Sequence, residues 1–325
     1  MKTKKFIISF VVSVLVFSIA SVIIAMGLSQ GRRNDRKTDS LNNEELEGRS
    51  VNILLVMSDY SPEKFNDYDP DWVRNVVGKS VEFPVVKPES PLNGYRKVYT
   101  ENMAILRFDK EHGEMSLSYV PGATLVTVKG LQIKLEEVAG RWGMKVLTEK
   151  VHAITGLEID HYMTFTPVSA AAALDMFGTV DYTVKCNMKY SIPERGIDID
   201  LSAGTYRLDG KTTVDMLRYN GYGDNGITRK EITFGYSQRL VKKIEHDFTK
   251  EDIRAIVEKI IELAYTDIDM GSFAEELNFI LSFSKLSFEC VELAGTWQNV
   301  GKAKYFVLDE TKTLSIFKKY RRSAS

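Results

Sequence analysis

The chain has 325 residues, and its 43 Lys and Arg against 44 Asp and Glu leave a formal charge of −1. That balance excludes a broad nucleic-acid-binding surface. Its two cysteines, Cys186 and Cys290, exclude a small disulfide-stapled fold.

Residues 1–5 carry Lys2, Lys4 and Lys5, and Phe6–Leu28 follows without a charged residue. A run of about 20 apolar residues spans a bilayer core as a helix. A cleaved signal peptide has an apolar core of only ~7–15 residues before its cleavage site. Here the small-residue stretch Ser18-Ile19-Ala20 lies inside the run, so an uncleaved single-pass anchor is expected. Arg32, Arg33, Arg36 and Lys37 follow the span, and a count of basic residues favours the N-terminus outside. The very short leader favours the opposite orientation, with the N-terminus inside and the rest of the chain extracellular. Residues 29–50 are polar, lack apolar periodicity and read as a flexible linker. The domain proper is then 51–325, long enough for one large core.

Val51–Met57 is a continuous apolar run, the pattern of a strand buried on both faces. Residues 58–99 hold five prolines and many acids, and read as a long loop or excursion. Met103–Asp109 and Glu114–Val120 flank Lys110-Glu-His-Gly113, a hairpin signature. Helices are expected over Gln132–Arg141 and Met144–Thr155. Tyr162–Phe165 reads as a strand. Thr166-Pro167 then opens a helix that Gly178 stops. A strand at Val180–Lys185 follows, then a helix from Asp209-Gly210 through Arg218, a glycine-rich loop to Gly226 and a helix over Ile232–His246. Thr249-Lys-Glu-Asp252 and Ser272-Phe-Ala-Glu275 read as capping boxes of two more helices. Cys290–Leu293 and Tyr305–Leu308 read as strands, with Asp309 capping a last helix. Both cysteines fall in strand-like apolar text and read as thiols. Strands alternating with helices, some strands hairpin-linked, give an α/β fold with a mixed central β-sheet and helices on both faces.

Four scattered histidines show no zinc-ligand spacing, and there is no nucleophile elbow or Walker loop. Asp67-Tyr-Asp-Pro-Asp71 lacks the Gly and distal Glu of an EF-hand loop and reads as a solvated acidic loop. Val168–Phe177 could line an apolar tunnel, although such a stripe is more often core.

The informative constellation is spread along the chain. Thr100-Glu-Asn-Met-Ala-Ile-Leu106 leads into a strand, and Tyr119-Val-Pro-Gly-Ala-Thr124 follows the next. Lys134-Leu135 opens a helix. Gly204-Thr-Tyr-Arg-Leu-Asp-Gly210 precedes Met216-Leu-Arg-Tyr219, and Phe234-Gly-Tyr-Ser-Gln-Arg239 opens another helix. With the leading strand and the single anchor, their order and spacing resemble the LytR-CpsA-Psr family across nearly the whole chain. The resemblance implies an extracellular α/β/α domain anchored in a Gram-positive-type membrane. It implies transfer of teichoic-acid or capsule glycopolymers from a polyprenyl diphosphate carrier to peptidoglycan, with the prenyl tail in an apolar pocket, arginines on the diphosphate and aspartates on Mg2+. Phosphoryl transfer is mostly positioning and charge neutralisation, which Arg forks and a carboxylate-held Mg2+ supply.

This chain departs from the pattern. The family's Arg-x-Asp-Thr-Met reads Tyr99-Thr-Glu-Asn-Met103, which leaves Glu101 as the metal ligand. Its Pro-Arg-Asp-Thr reads Pro121-Gly-Ala-Thr124, so an arginine is missing and Ala123 stands where a second metal-binding Asp belongs. Its Arg-x-Arg reads Arg218-Tyr-Asn220. Its Asp-x-Gly-Arg-x-x-Arg-Gln reads Thr233 to Leu240 and retains only Arg239 of its arginines. Its Lys-Leu-Asn reads Lys134-Leu-Glu136. The resemblance therefore implies Arg218 and Arg239 as catalytic clamps, Lys134, Arg218, Gln238 and Arg239 as substrate contacts, and Glu101 on Mg2+. Arg229, Lys230, Arg107 and Arg96 are candidates to replace the lost arginines. Each lost charge-assisted phosphate contact is worth about 1.5–3 kcal/mol, so the alternative is a weakened or inactive module that binds polyprenyl-phosphate lipid or envelope glycan.

Overall fold

The computed structural model describes residues 50–59, 99–109, 114–192, 197–219, 229–281, 287–300 and 303–320. Strands β1 (Ser50–Asp59) and β2 (Tyr99–Asp109) form an antiparallel pair. Strand β3 (Glu114–Pro121) extends it antiparallel. The hairpin β4 (Leu125–Val128) and β5 (Leu131–Lys134) follows. A 3-10 turn (Leu135–Glu137) then leads to α1 (Val138–Trp142), α2 (Met144–Thr155) and β6 (His161–Phe165). Next come α3 (Pro167–Asp175), β7 (Val180–Val184), β8 (Met188–Ile192), β9 (Ile197–Leu201), β10 (Gly204–Leu208) and α4 (Gly210–Arg218). The C-terminal part is α5 (Arg229–Asp247), α6 (Lys250–Leu263), β11 (Tyr265–Thr266), α7 (Met270–Leu281), β12 (Ser287–Glu292), β13 (Gly295–Val300), β14 (Ala303–Leu308) and α8 (Glu310–Phe317).

The main sheet has the order β11-β6-β1-β2-β3-β12. β6 runs parallel to β1 and β12 parallel to β3, while β11 is antiparallel to β6, so the sheet is mixed. Alternation divides β1 and β2 between two cores. Ile53, Leu55, Met57, Ala104, Leu106 and Phe108 face the side packed by α3 to α7 and by β7 to β10. Leu54, Val56, Met103 and Ile105 face the side packed by the β4–β5 hairpin, α1, α2 and α8. The expected α/β fold with helices on both faces is what is found. The Phe6–Leu28 segment and the linker up to residue 49 lie outside the described residues, while Ser50 already belongs to β1, and no helix among the described residues is long and apolar enough to cross a membrane. The acidic run at 67–71 and the rest of the 58–99 excursion from residue 60 to 98 also lie outside them.

Local chemistry sets most boundaries as read. The Thr166 side chain accepts from the Ser169 amide at 3.1 Å, Ser169 Oγ accepts from the Thr166 amide, and Pro167 follows at the first helical position. Thr249 and Asp252 form the same box on α6. Asp209 and Asp309 cap α4 and α8. Cys186 and Cys290 are both free thiols.

Two expectations are corrected. Gln132–Lys134 is strand rather than helix. Lys129 and Gly130 take positive φ values of 49° and 80°, which turns the alternating Leu125–Val128 text back on Leu131–Lys134 as a tight hairpin. Ser272 does not open its helix. α7 begins at Met270, and Asp269 accepts from the Ser272 amide at 3.0 Å, so the cap lies three residues earlier.

The alanines of α3 let α4 approach closely. Ala170 to Leu174 and Phe177 lie in the core, so this stripe is packing. The Gly210 amide donates to Asp175 at 2.7 Å, and a β-carbon at 210 would sit 1.9 Å from the Ala171 carbonyl oxygen. Neither backbone can yield easily, so Gly210→Ala is expected to destabilise by about 1–3 kcal/mol or more. Urea unfolding of the purified protein checks this as a lower midpoint with unchanged slope.

Candidate functional site

The registers put the carboxyl ends of β1, β3, β6 and β12 at one edge of the sheet, beside the start of β2. Met57 lies opposite Phe165, Asp59 opposite Tyr99, Pro121 opposite Asn102 and Glu292 opposite Tyr119. In open α/β sheets this is the edge at which ligands bind.

A turn and a 3-10 segment close over this edge. The Thr124 amide and hydroxyl both donate to the Pro121 carbonyl, at 3.0 and 2.5 Å. The Leu135 amide donates to Thr124 O, and the Glu136 amide to Gly122 O, each at 2.8 Å. From β2, the Thr100 hydroxyl donates to Glu136 O at 3.1 Å. From β14, the Phe306 amide donates to Ala123 O at 2.9 Å. Thus three sequence motifs, at 100–106, 119–124 and 134–136, are hydrogen-bonded neighbours.

Beside this turn, Lys134 and Glu136 form an ion pair. Lys134 Nζ stands 3.4 Å from Glu136 Oε1 and 5.5 Å above the centre of the Tyr305 ring. The lysine is half-buried, while Glu136 is 3% exposed. Glu136 Oε2 is buried and has no hydrogen-bond partner among the described residues. A buried carboxylate with one long ionic contact is poorly compensated. Burial accordingly pushes the Glu136 carboxyl up to about 7; Lys134 pulls it down and neighbouring Glu137 adds a smaller upward push. Sequence reading compared residue 136 with the family's Asn and missed it as an ionisable site group. Its signal was a carboxylate two residues after the motif lysine.

The remaining site candidates come from the other face. Arg218 is the last residue of α4 and is buried at 8% exposure. Its charge acts on Asp215, whose carboxyl is raised mainly by desolvation and pulled back by Lys211 and then Arg218. Helix α5 is fastened beside it by two tyrosines. The Thr213 hydroxyl donates to Tyr236 OH at 3.3 Å, and Tyr182 OH donates to Ile232 O at 3.2 Å. The rings meet edge-on at 5.8 Å. Tyr236 turns inward, and Gln238 and Arg239 are exposed. So Lys134 joins the edge cluster, Arg218 is buried among the helices of the opposite face, and Arg239 and Gln238 face outward.

Of the proposed replacements, Arg107 is not at this edge. It sits seven residues along β2 from Thr100, about 23 Å away at strand rise. There it is buried and donates to Asp109 at 2.5 Å, as part of the core's far end. Side chains of Glu101, Arg229 and Lys230, and all of Arg96, lie outside the described residues. Among the described residues no group of three His, Cys, Asp or Glu could hold a metal ion. His152 Nδ1 lies 2.9 Å from Leu157 O, His161 packs edge-on to Phe273, and His246 is exposed beside Asp247. His112 lies outside the described residues.

The profile of the LytR_cpsA_psr family matches residues 25–322. Among solved structures, TagV from B. subtilis is similar at 18% identity and TM-score 0.59, over 84% of this chain and 96% of that one. Protein gbs0355 from Streptococcus agalactiae is similar at 16% identity and TM-score 0.61, over 87% and 90%. TagT bound to LIIa-WTA is similar at 13% identity and TM-score 0.55, over 90% and 96%. At these identities the likeness shows the fold. No curated protein matches the chain.

The raised Glu136 carboxyl has a consequence for stability. The folded state holds this proton more tightly than the unfolded chain, whose value is near 4.5. The charge therefore costs nothing below that value, an increasing amount up to about 7 and a constant amount above. Glu136→Gln is expected to be more stable than the parent at pH 8, by at most about 3 kcal/mol, with the difference vanishing by pH 4.5. Denaturant melts of both proteins across this range check the sign and the convergence.

Proposed function

The chain belongs to the LytR_cpsA_psr family, and on that premise we propose that it is a membrane-anchored, extracellular cell-envelope phosphotransferase. It would take a glycopolymer, of teichoic-acid or capsule type, from a polyprenyl diphosphate carrier and attach it to peptidoglycan. One observation carries the reading: motifs at 100–106, 119–124 and 134–136 are hydrogen-bonded together at the carboxyl edge, where Lys134 offers an ammonium. The structure of TagT with LIIa-WTA bound adds support from a protein of the same fold.

In this reaction an acceptor hydroxyl on peptidoglycan attacks the phosphorus that carries the glycan. The new O–P bond forms as the bond to polyprenyl phosphate breaks; that phosphate leaves with the electron pair, and the acceptor's hydroxyl proton is released to solvent. The protein's task is to hold the two phosphates and offset their charge. Lys134 from one face of the sheet and Arg218 from the other would do this, with Gln238 and Arg239 contacting the glycan-bearing part from α5. A divalent cation has a thin donor set. Glu101 is the carboxylate retained at the family's positions, because Ala123 is small, buried and bonded through its carbonyl to Phe306. Mg2+ commonly binds through one or two carboxylates plus substrate phosphates. Glu101 would hold it only together with the diphosphate oxygens, and the ion would supply charge neutralisation there.

A second reading rests on the same turn. Gly122 and Ala123 bring no charge to the edge, and Arg239 is exposed. Those features favour a module that holds polyprenyl-phosphate lipid or envelope glycan with little or no transfer.

The full-length chain, purified in mild detergent, is expected to carry a polyprenyl phosphate visible by native mass spectrometry. Given a labelled lipid-diphosphate glycan and peptidoglycan, it is expected to transfer label in a Mg2+-dependent way. Arg218→Ala and Lys134→Ala should each reduce transfer about tenfold to a hundredfold, the equivalent of one lost charged contact. Lipid without transfer selects the binding module. Neither lipid nor transfer ends both readings and leaves the family as a statement about fold.

A further inference from the structure

We propose that Lys134 and Glu136 form a proton-coupled subsite for a phosphate group, in which the anion takes over Lys134 while Glu136 takes up a proton. The inference rests on the reading above, that a diphosphate binds at this edge, and adds which residues set its pH response.

The argument begins with who can neutralise whom. Lys134 Nζ is the one cationic group that faces Glu136 among the described side chains, at 3.4 Å. The other described neighbours bonded to the backbone of Glu136 bring no charged side chain. The turn contributes Pro121, Gly122, Ala123 and Thr124, and β2 contributes Thr100. Tyr305 from β14 lies under the lysine. Glu137, next in the chain, turns to Arg141 of α1 at 2.6 Å. Glu136 Oε2 is buried without a hydrogen-bond partner among the described residues.

A lysine with a half-exposed stem and one acidic partner can turn to an incoming anion. When it does, the Glu136 carboxylate loses the contact that made its charge tolerable and gains a second negative charge nearby. Both changes favour the neutral acid. Because the carboxyl already titrates near neutrality, the proton needed is available at ordinary pH. By linkage, anion binding then weakens as pH rises, and binding at high pH draws a proton from solvent. Glu136 touches Lys134 rather than the ligand, so it is a positioning residue. Burial fixes it there, since Glu136's own amide and carbonyl are tied to Gly122 and Thr100.

The test uses the full-length chain in detergent, with geranyl diphosphate esterified to N-acetylglucosamine as the probe. Its phosphates carry no proton that titrates between pH 6 and 8. Calorimetry at pH 6 and pH 8, in buffers of different ionisation enthalpy, reads affinity and proton exchange together. The expected result is binding about tenfold weaker at pH 8 than at pH 6, with up to one proton taken up per site at pH 8. Glu136→Gln, a permanently uncharged mimic, should bind equally at both pH values, near the parent's pH 6 affinity, and take up no proton. Parent binding that is independent of pH with no proton uptake overturns the coupling and leaves the diphosphate site standing. Proton uptake that persists in Glu136→Gln overturns the assignment to Glu136. No binding at either pH, by a protein whose melt shows it folded, overturns the diphosphate site and the coupling with it.

Discussion

Strands β1 and β2 are apolar on both faces, and their central place in the sheet constrains the rest of the molecule. Their side chains divide between two cores, each buried to a few per cent or less. Each face needs its own cover, which α3 to α7 provide on one side and the β4–β5 hairpin with α1, α2 and α8 on the other. A sheet sandwiched in this way offers little room for charge within it. The exception, Arg107 with Asp109, is a tightly paired couple at one end. Chemistry is left to the edges, where strands stop and backbone groups turn outward. At the carboxyl edge the turn after β3 and the 3-10 segment after β5 are bonded to each other, to Thr100 and to Phe306. Side chains mounted there are held by a rigid frame.

Much of this was legible before the fold was seen. The Val51–Met57 run, the β2–β3 hairpin, the Thr166-Pro167 opening and the Asp209 and Asp309 caps follow from rules that act over a few residues. Apolar runs, caps and turn chemistry depend little on what packs against them. The errors also have local causes. At Gln132–Lys134 a short stretch of mixed polarity satisfies helical spacing as well as strand alternation, and only the Lys129-Gly130 turn decides for strand. At Ser272 the sequence holds two acceptable caps three residues apart, Asp269 and Ser272, and the Asp269 carboxylate takes the Ser272 amide.

The site was legible in position more than in orientation. Motif order groups six segments, of which 100–106, 119–124 and 134–136 meet at one edge while 216–219 and 234–239 belong to the helices of the other face. It could not tell that Tyr236 would turn inward to Thr213, which leaves Gln238 and Arg239 on the outer side of the same helix. A helix repeats every 3.6 residues, so fixing one buried tyrosine fixes the facing of its neighbours. Arg107 failed for a similar reason. The residue type suited phosphate, but its register along β2 placed it at the far end of the sheet.

What distinguishes this edge from the pattern it resembles is where its negative charge sits. The family pattern puts a carboxylate on the turn at position 123 and an amide at 136; here 123 is alanine and 136 is glutamate. The backbone of 136 is hydrogen-bonded to that of 122, so the two positions are close and the site has retained a carboxyl near the turn while changing its surroundings. At 136 it is enclosed, with one lysine 3.4 Å away and a bare oxygen, and its ionisation depends on what else Lys134 is doing. With fewer arginines at this edge than the pattern carries, the net positive charge available to an anion rests more heavily on Lys134, and so on whether Glu136 is neutral.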